Sequence, residues 1–287
     1  MDDGFVSVPG GRVWYRVEGG GATPLLCLHG GPGFTHDYMS PLLALADERP
    51  VVLYDQLGCG RSDRPADDSL WSLDRSIAEV HALRLALGLN RLHLVGHSWG
   101  GFLALSYALE HRGLSGLVLA SPLVSVPRWL EDARGLRRQL PRELIDTLDR
   151  HEAQGFTSCP EYQAATFEYY RRHLCRLDPW PQELERSFAG FGTEVYESMW
   201  GPTEFHATGS LVGMDLTSRL GDLEMPVLYT CGRHDESTPE AVASFEEATV
   251  DARLVVFEAS SHMAHIEEPG RFTEVVRTFL RQVDSGR

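Results

Sequence analysis

The feature that most constrains this chain is a serine held between glycines at residues 96–101, where the sequence is GHSWGG. The apolar run at residues 92–95 predicts a buried strand before it, and the run at residues 102–109 predicts a helix after it. A serine with a glycine two residues before and two residues after, between a strand and a helix, has the pattern of a nucleophile elbow. The turn holds the serine oxygen above the sheet, so Ser98 is the candidate nucleophile.

Composition predicts a soluble globular enzyme, since 43% of the 287 residues are hydrophobic and 23% are charged. The chain has 41 acidic and 26 basic residues and a net charge of −15, which argues against nucleic acid or an anionic membrane as a partner. The five cysteines show no CxxC spacing, and the N-terminus lacks a signal-peptide pattern. We therefore expect free thiols and a cytoplasmic location, with no membrane-spanning segment.

Strand and helix patterns divide the chain into a core and an insertion. Short apolar strands alternate with helices over residues 1–124 and again over residues 215–287, which predicts an α/β fold with a mostly parallel sheet flanked by helices. Residues 125–214 instead carry amphipathic helical patterns separated by prolines, so we predict a helical cap inserted between the two parts of the core. The clearest cap helices are expected at residues 128–140, 142–154 and 161–174.

Two residues at the ends of later strands supply Ser98 with a base and an acid. Asp235 follows the predicted strand 226–231, and His262 follows the predicted strand 254–257. The order serine, acid, histidine is that of α/β hydrolases, and the carboxyl ends of parallel strands meet at one edge of a sheet. We therefore predict that His262 takes the proton of Ser98 and that Asp235 orients His262.

These assignments have alternatives within the same loops. His265 is a second candidate base, and Glu236 is a second candidate acid. The chain lacks HExxH spacing, and His262 and His265 alone are too few ligands for zinc, so we predict no metal site. The chemistry of a serine hydrolase needs no organic cofactor, and we predict none.

An acyl-transfer site also needs N–H donors for the oxyanion of the tetrahedral intermediate. Trp99 follows the nucleophile and offers its backbone N–H from the start of the helix. The second donor is expected in residues 29–33 (HGGPG), which follow an earlier predicted strand. Pro32 has no N–H, so Gly31 is the favoured donor and Gly30 is the alternative.

Five motifs together resemble the proline iminopeptidase family of α/β-hydrolase serine peptidases. They are residues 29–33 (HGGPG), 55–62 (DQLGCGRS), 96–101 (GHSWGG), 199–205 (MWGPTEF) and 232–239 with 261–262. The resemblance spans nearly the whole chain and is weakest over residues 126–189. Leu57 stands where many members carry Arg, which is similar to the branch that includes the tricorn-interacting aminopeptidase. That likeness implies an N-terminal preference broader than proline.

The resemblance implies a cap that admits only peptide N-termini and two acidic side chains that hold the substrate ammonium. Motif matching gives these roles to Glu204 and Glu236. Paired carboxylates suit this task because they bind a cation by charge-assisted hydrogen bonds. The implied activity is release of an N-terminal residue from a small peptide through an acyl-enzyme. A hydrolase of amino-acid amides or esters, a carboxylesterase with no amine requirement and a non-catalytic binding module stay open as alternatives.

Overall fold

The central element is one eight-stranded sheet, in a computed structural model that describes residues 2–286. Its strands are β1 (Asp2–Val8), β2 (Gly11–Glu18), β3 (Leu25–Leu28), β4 (Val51–Tyr54), β5 (Leu92–His97), β6 (Leu114–Ala120), β7 (Val227–Gly232) and β8 (Ala252–Phe257). They lie in the order β1-β2-β4-β3-β5-β6-β7-β8. Strands β3 to β8 run parallel, whereas β2 pairs antiparallel with both β1 and β4. The predicted α/β fold with a mostly parallel sheet is confirmed.

Helices cover both faces of this sheet. The helices that pack against its strands are α1 (Leu73–Ala86), α2 (Trp99–Glu110), α8 (Pro239–Glu247) and α10 (Pro269–Asp284). The other helices are α3 (Val126–Arg137), α4 (Arg142–Gln154), α5 (Pro160–His173), α6 (Gln182–Ala189), α7 (Thr193–Met199) and α9 (Ala264–Glu267). The four residues of β3 are all apolar because both faces of this strand are buried. Leu26 and Leu28 belong to one buried cluster and Leu25 and Cys27 to another, because alternate side chains of a strand point to opposite faces.

Helices α3 to α7 all follow β6 and precede β7 in the chain. They lie within residues 125–214, which we call the cap segment. The helix predicted at residues 142–154 is found with those bounds as α4, and α6 and α7 are additional short helices. None of the helices within residues 2–286 combines the length and the apolar character needed to span a membrane.

Candidate active site

Ser98 lies at the sharp turn between β5 and α2, with φ 56° and ψ −122°. Such a backbone conformation is strained for a residue with a side chain and is typical of functional turns. A Cβ atom on Gly96 would lie 2.1 Å from the carbonyl oxygen of Gly100, and one on Gly100 would lie 2.0 Å from that of Leu28. Only glycine fits at these two positions, so the flanking glycines of the motif permit the close approach of strand, turn and helix.

His262 and Asp235 form a buried pair at the same edge of the sheet. The His262 Nδ1 atom lies 2.7 Å from Asp235 Oδ1, and both side chains are almost completely buried. The carboxylate also accepts hydrogen bonds from the N–H groups of Ser237 and Gly232. Because the carboxylate accepts, Nδ1 carries the proton and Nε2 is left as the basic nitrogen. His262 and Ser98 line one cavity of about 200 Å³.

The structure separates His262 from the alternative base, His265. The His265 ring is buried between other rings, with its centroid 4.8 Å from that of His97, 5.3 Å from Tyr38 and 5.7 Å from Phe272. His265 does not line the cavity that contains Ser98. Within residues 2–286, no group of three or more His, Cys, Asp or Glu side chains is arranged to hold a metal ion.

The two N–H groups predicted to face the oxyanion lie beside Ser98. Gly31 lines the Ser98 cavity, and Trp99 is the first residue of α2. The N–H of Gly30 is already used, because it donates to the hydroxyl oxygen of Tyr38 at 2.7 Å. Among the hydrogen bonds found within residues 2–286, none uses the N–H of Gly31 or of Trp99. Both groups are therefore available to a ligand.

A chain of hydrogen bonds connects the glycine loop to the backbone of His262. The His97 Nε2 atom lies 2.9 Å from the carbonyl oxygen of His262, so this nitrogen must carry the proton. The Nδ1 atom of His97 then accepts from the Tyr38 hydroxyl at 2.9 Å, and that hydroxyl accepts from the Gly30 N–H. Burial lowers the pKa of His97 well below its ordinary value, which keeps the ring neutral.

Glu204 lines the same cavity as Ser98 and His262 and is partly buried. The Tyr196 hydroxyl donates to its Oε1 atom at 2.7 Å, and the indole N–H of Trp129 donates to its backbone oxygen at 2.8 Å. Burial raises the pKa of the Glu204 carboxyl, and the Tyr196 hydrogen bond offsets part of that rise. The sequence-predicted amine ligand is thus fixed in place and faces the cavity.

Glu236 is completely buried and does not line the Ser98 cavity. Its Oε1 atom lies 4.0 Å from His262 Nε2, and the Tyr169 side chain is near enough to interact with the carboxyl and partly offset the rise in its pKa. Within the described residues neither carboxyl oxygen makes a hydrogen bond of normal geometry. Burial, followed by the negative charges of Glu204 and Asp235, raises the pKa of Glu236 well above its ordinary value. A buried carboxyl whose hydrogen bonds are incomplete destabilises the fold, and a bound cation would offset that cost.

Replacing Glu236 with glutamine is expected to raise the melting temperature at pH 8 and to leave it nearly unchanged at pH 4. The folded-state pKa of Glu236 is raised, so above the ordinary carboxyl pKa the folded state keeps a proton that the unfolded chain has released. The free energy of unfolding therefore falls as pH rises through this window. The Glu236→Gln protein should not show this fall, because glutamine does not titrate. Each kcal/mol recovered should add about 2–4 °C for a chain of this size.

Scanning calorimetry of the Glu236→Gln protein at the two pH values measures this effect. The matched control is Glu247→Gln. Glu247 is exposed on α8, so its replacement should change the melting temperature little at either pH. An increase of the same size for Glu236→Gln at pH 4 and pH 8 would contradict the assigned cause.

Three residues of the site are not predicted from the sequence as functional groups. His97 belongs to the GHSWGG motif, so its position next to Ser98 is a signal that could have identified it. Tyr38, in the 3₁₀ helix His36–Leu45, and Tyr196, in α7, carry no comparable signal. Their hydroxyls become part of the site only through contacts made in the folded chain.

Comparison with known proteins agrees with this geometry. Residues 23–269 match the family described as the alpha/beta hydrolase fold. The chain is 42% identical to the proline iminopeptidase of Heyndrickxia coagulans over 285 residues, which are 98% of this chain and 99% of that protein. It is 38% identical to the proline iminopeptidase of Saccharolobus solfataricus, over 99% of this chain and 94% of that protein.

Solved structures give the same result. The crystal structure of proline iminopeptidase from Mycobacterium smegmatis matches with a TM-score of 0.92 at 40% identity, and 99% of each chain is covered. The crystal structure of VinJ matches with a TM-score of 0.95 at 38% identity, again over 99% of each chain. This chain belongs to the proline iminopeptidase family of α/β hydrolases.

Proposed function

We propose that this protein is a serine aminopeptidase that releases the N-terminal residue of a small peptide, or of an amino-acid amide or ester, through an acyl-enzyme. The observation that carries the proposal is the pair of acidic side chains beside the triad. Glu204 lines the Ser98 cavity, and the buried Glu236 carboxyl lies 4.0 Å from His262 Nε2 and close enough to Glu204 for that negative charge to raise the Glu236 pKa. An ammonium group supplies the positive charge and the N–H donors that these carboxyls need.

In the acylation step, Ser98 Oγ attacks the carbonyl carbon of the N-terminal residue while His262 Nε2 takes the hydroxyl proton. Asp235 holds the Nδ1–H of His262 and stabilises the imidazolium that forms. The carbonyl oxygen becomes an oxyanion, and the N–H groups of Gly31 and Trp99 donate to it. The intermediate collapses when the bond to the leaving group breaks, and His262 gives its proton to the departing amine or alcohol.

Deacylation repeats these roles with water as the nucleophile. His262 Nε2 removes a proton from the water as it attacks the acyl carbon, and the same N–H donors stabilise the second oxyanion. The proton then passes from His262 to Ser98 Oγ as the ester bond breaks. The released product is the free amino acid, and Ser98 and His262 return to their starting protonation states.

The requirement for a free amine follows from the position of the carboxyls. Glu236 lies 4.0 Å from the basic nitrogen of His262, so a cation held between it and Glu204 sits next to the carbonyl under attack. A longer acyl chain would have to displace these two groups. The site therefore selects a substrate whose amine lies one carbon from the scissile carbonyl.

Replacing Glu204 with glutamine tests this selection. The variant is expected to reduce kcat/KM for free-amine substrates by about 30-fold or more, because a charge-assisted contact in a partly buried site is lost. Labelling of Ser98 by a small fluorophosphonate should keep its rate, since that reagent makes no use of the amine site. Glu194→Gln is the matched control, because Glu194 is exposed on α7 and does not line the cavity. Equal losses in both reactions would mean that Glu204 is structural.

We also propose that the protein works in the cytoplasm. All five cysteines are free thiols, and four of them are buried. Free buried thiols are compatible with a reducing compartment and need no oxidising environment for folding.

A further inference from the structure

A second cavity of about 430 Å³ lies within the cap segment, next to the Ser98 cavity, and the two share five lining residues. The residues that line both cavities are Tyr170, Phe188, Thr193, Glu197 and Pro202. The second cavity is larger than the first, which has about 200 Å³. Glu204 and Glu236 hold the amine under the proposed function, so no part of the substrate extends beyond the amine. The leaving group lies on the other side of the scissile carbonyl from the amine, and it is the part of the substrate whose length is not limited by the amine site, so we assign the second cavity to it.

A series of aromatic rings connects the two cavities to the surface of the cap segment. The ring of Phe34, in the Ser98 cavity, lies 4.9 Å from that of Phe188, which stacks on Trp180 at 5.3 Å. Trp180 in turn lies 4.8 Å from Phe167. Phe188 and Phe167 are 37% and 45% exposed, although aromatic side chains are usually covered. An exposed apolar surface that continues into an active site is suited to an apolar ligand.

The charge of the second cavity disfavours an acidic ligand. The acidic lining residues of the two cavities are Glu197 and Glu204, and no arginine or lysine of the described chain lines either one. With Glu204 paired to the substrate amine, a carboxylate on the leaving group would lie near the Glu197 carboxyl and would find no cation in the second cavity. Thr166 provides a neutral polar contact, because it is 6% exposed and its hydroxyl has no partner within residues 2–286.

We infer that the second cavity is the subsite for the leaving group, and that it takes an apolar, uncharged amine or alcohol portion in preference to a short peptide that ends in a carboxylate. This inference rests on the proposed function. It assigns the substrate class as N-terminal aminoacyl amides or esters of apolar compounds. Peptides belong to this class when the residue after the scissile bond is apolar and the C-terminal carboxylate is either blocked or far from that residue.

Three substrates with the same N-terminal proline and comparable leaving amines test the inference: prolyl-phenylalanine amide, prolyl-phenylalanine and prolyl-glycine amide. The phenylalanine amide is expected to exceed the glycine amide in kcat/KM by about tenfold or more, because burial of a phenyl ring stabilises the complex. It should exceed the free acid by about tenfold or more, because the acid brings a negative charge into a cavity that contains Glu197 and no cation. Equal kcat/KM values for the three would overturn the inference.

The Phe167→Arg variant locates the effect in the second cavity. It removes an apolar contact and adds a cation at a half-exposed position, so it should lower kcat/KM for prolyl-phenylalanine amide and raise it for prolyl-phenylalanine. Phe156→Arg is the matched control, since Phe156 is 64% exposed and lines neither cavity. The same change in preference in both variants would show an effect of net charge and would contradict the assignment of this cavity.

A fourth substrate, N-acetyl-prolyl-phenylalanine amide, distinguishes failure of the inference from failure of the proposed function. If the acetylated compound is cleaved as fast as the free-amine compound, the proposed aminopeptidase function is wrong. If the free amine is required but the three leaving groups give equal rates, the proposed function stands and the subsite assignment is wrong.

Discussion

Replacing Ser98 with alanine is expected to reduce kcat by about 10⁵-fold to 10⁶-fold, and replacing His262 with alanine is expected to cost a similar factor. Each substitution removes one of the two groups between which the proton moves. The serine is a poor nucleophile without the base, and the base has no other nucleophile to activate. The buried Asp235 carboxylate, 2.7 Å from His262 Nδ1, fixes the imidazole in the form that accepts this proton.

A variant that lacks both the Ser98 hydroxyl and the His262 imidazole tests whether the two side chains act together. If Ser98 and His262 act as one unit, the protein that lacks both should be no slower than either single variant, within about a factor of three. Steady-state rates on a prolyl amide measure this directly. Ser106→Ala is the matched control, because Ser106 lies in α2 and donates only to the carbonyl oxygen of Phe102. Losses that multiply in the double variant would show that the two residues work independently.

Acetylation of the substrate amine is expected to lower kcat/KM by about 10³-fold or more. The acetyl group removes the positive charge and the N–H donors that Glu204 and Glu236 are proposed to bind, so the charge-assisted contacts of the amine are lost and a bulkier neutral group must fit beside the carboxyls. An N-methyl substrate is the control, because methylation adds bulk but keeps the charge. It should lose much less activity than the acetylated one. An N-acetyl substrate that retains most of its activity would identify a carboxylesterase or amidase with no amine requirement.

The parts of the fold set by local patterns are predictable from the sequence. The strand before Ser98 and the helix after it are apolar runs on either side of glycines, and both appear as β5 and α2. Helix α4 has the predicted bounds because Pro141 precedes it and Gly155 ends it in a left-handed conformation. Helices α6 and α7 are short, so their periodicity is too weak to identify them.

The parts of the site that depend on distant contacts are not predictable in this way. The hydrogen bond from Tyr38 to His97 joins residues 59 apart in sequence, and that from His97 to the backbone of His262 joins residues 165 apart. No periodicity or motif encodes such contacts. The resemblance to a family identified Glu236 as a candidate amine ligand, but its burial and the absence of a hydrogen-bond partner follow only from the packing of the triad loop against the cap segment.

The acyl-enzyme itself is the most direct test of the account. A reaction with a prolyl ester is stopped in acid within one turnover, and the mass of the protein and of its peptides is measured. We predict one added prolyl group, attached at Ser98, and no adduct when the ester carries an N-acetyl group. Attachment at another residue, or equal labelling of Ser98 by the free-amine and N-acetyl esters, would contradict the account.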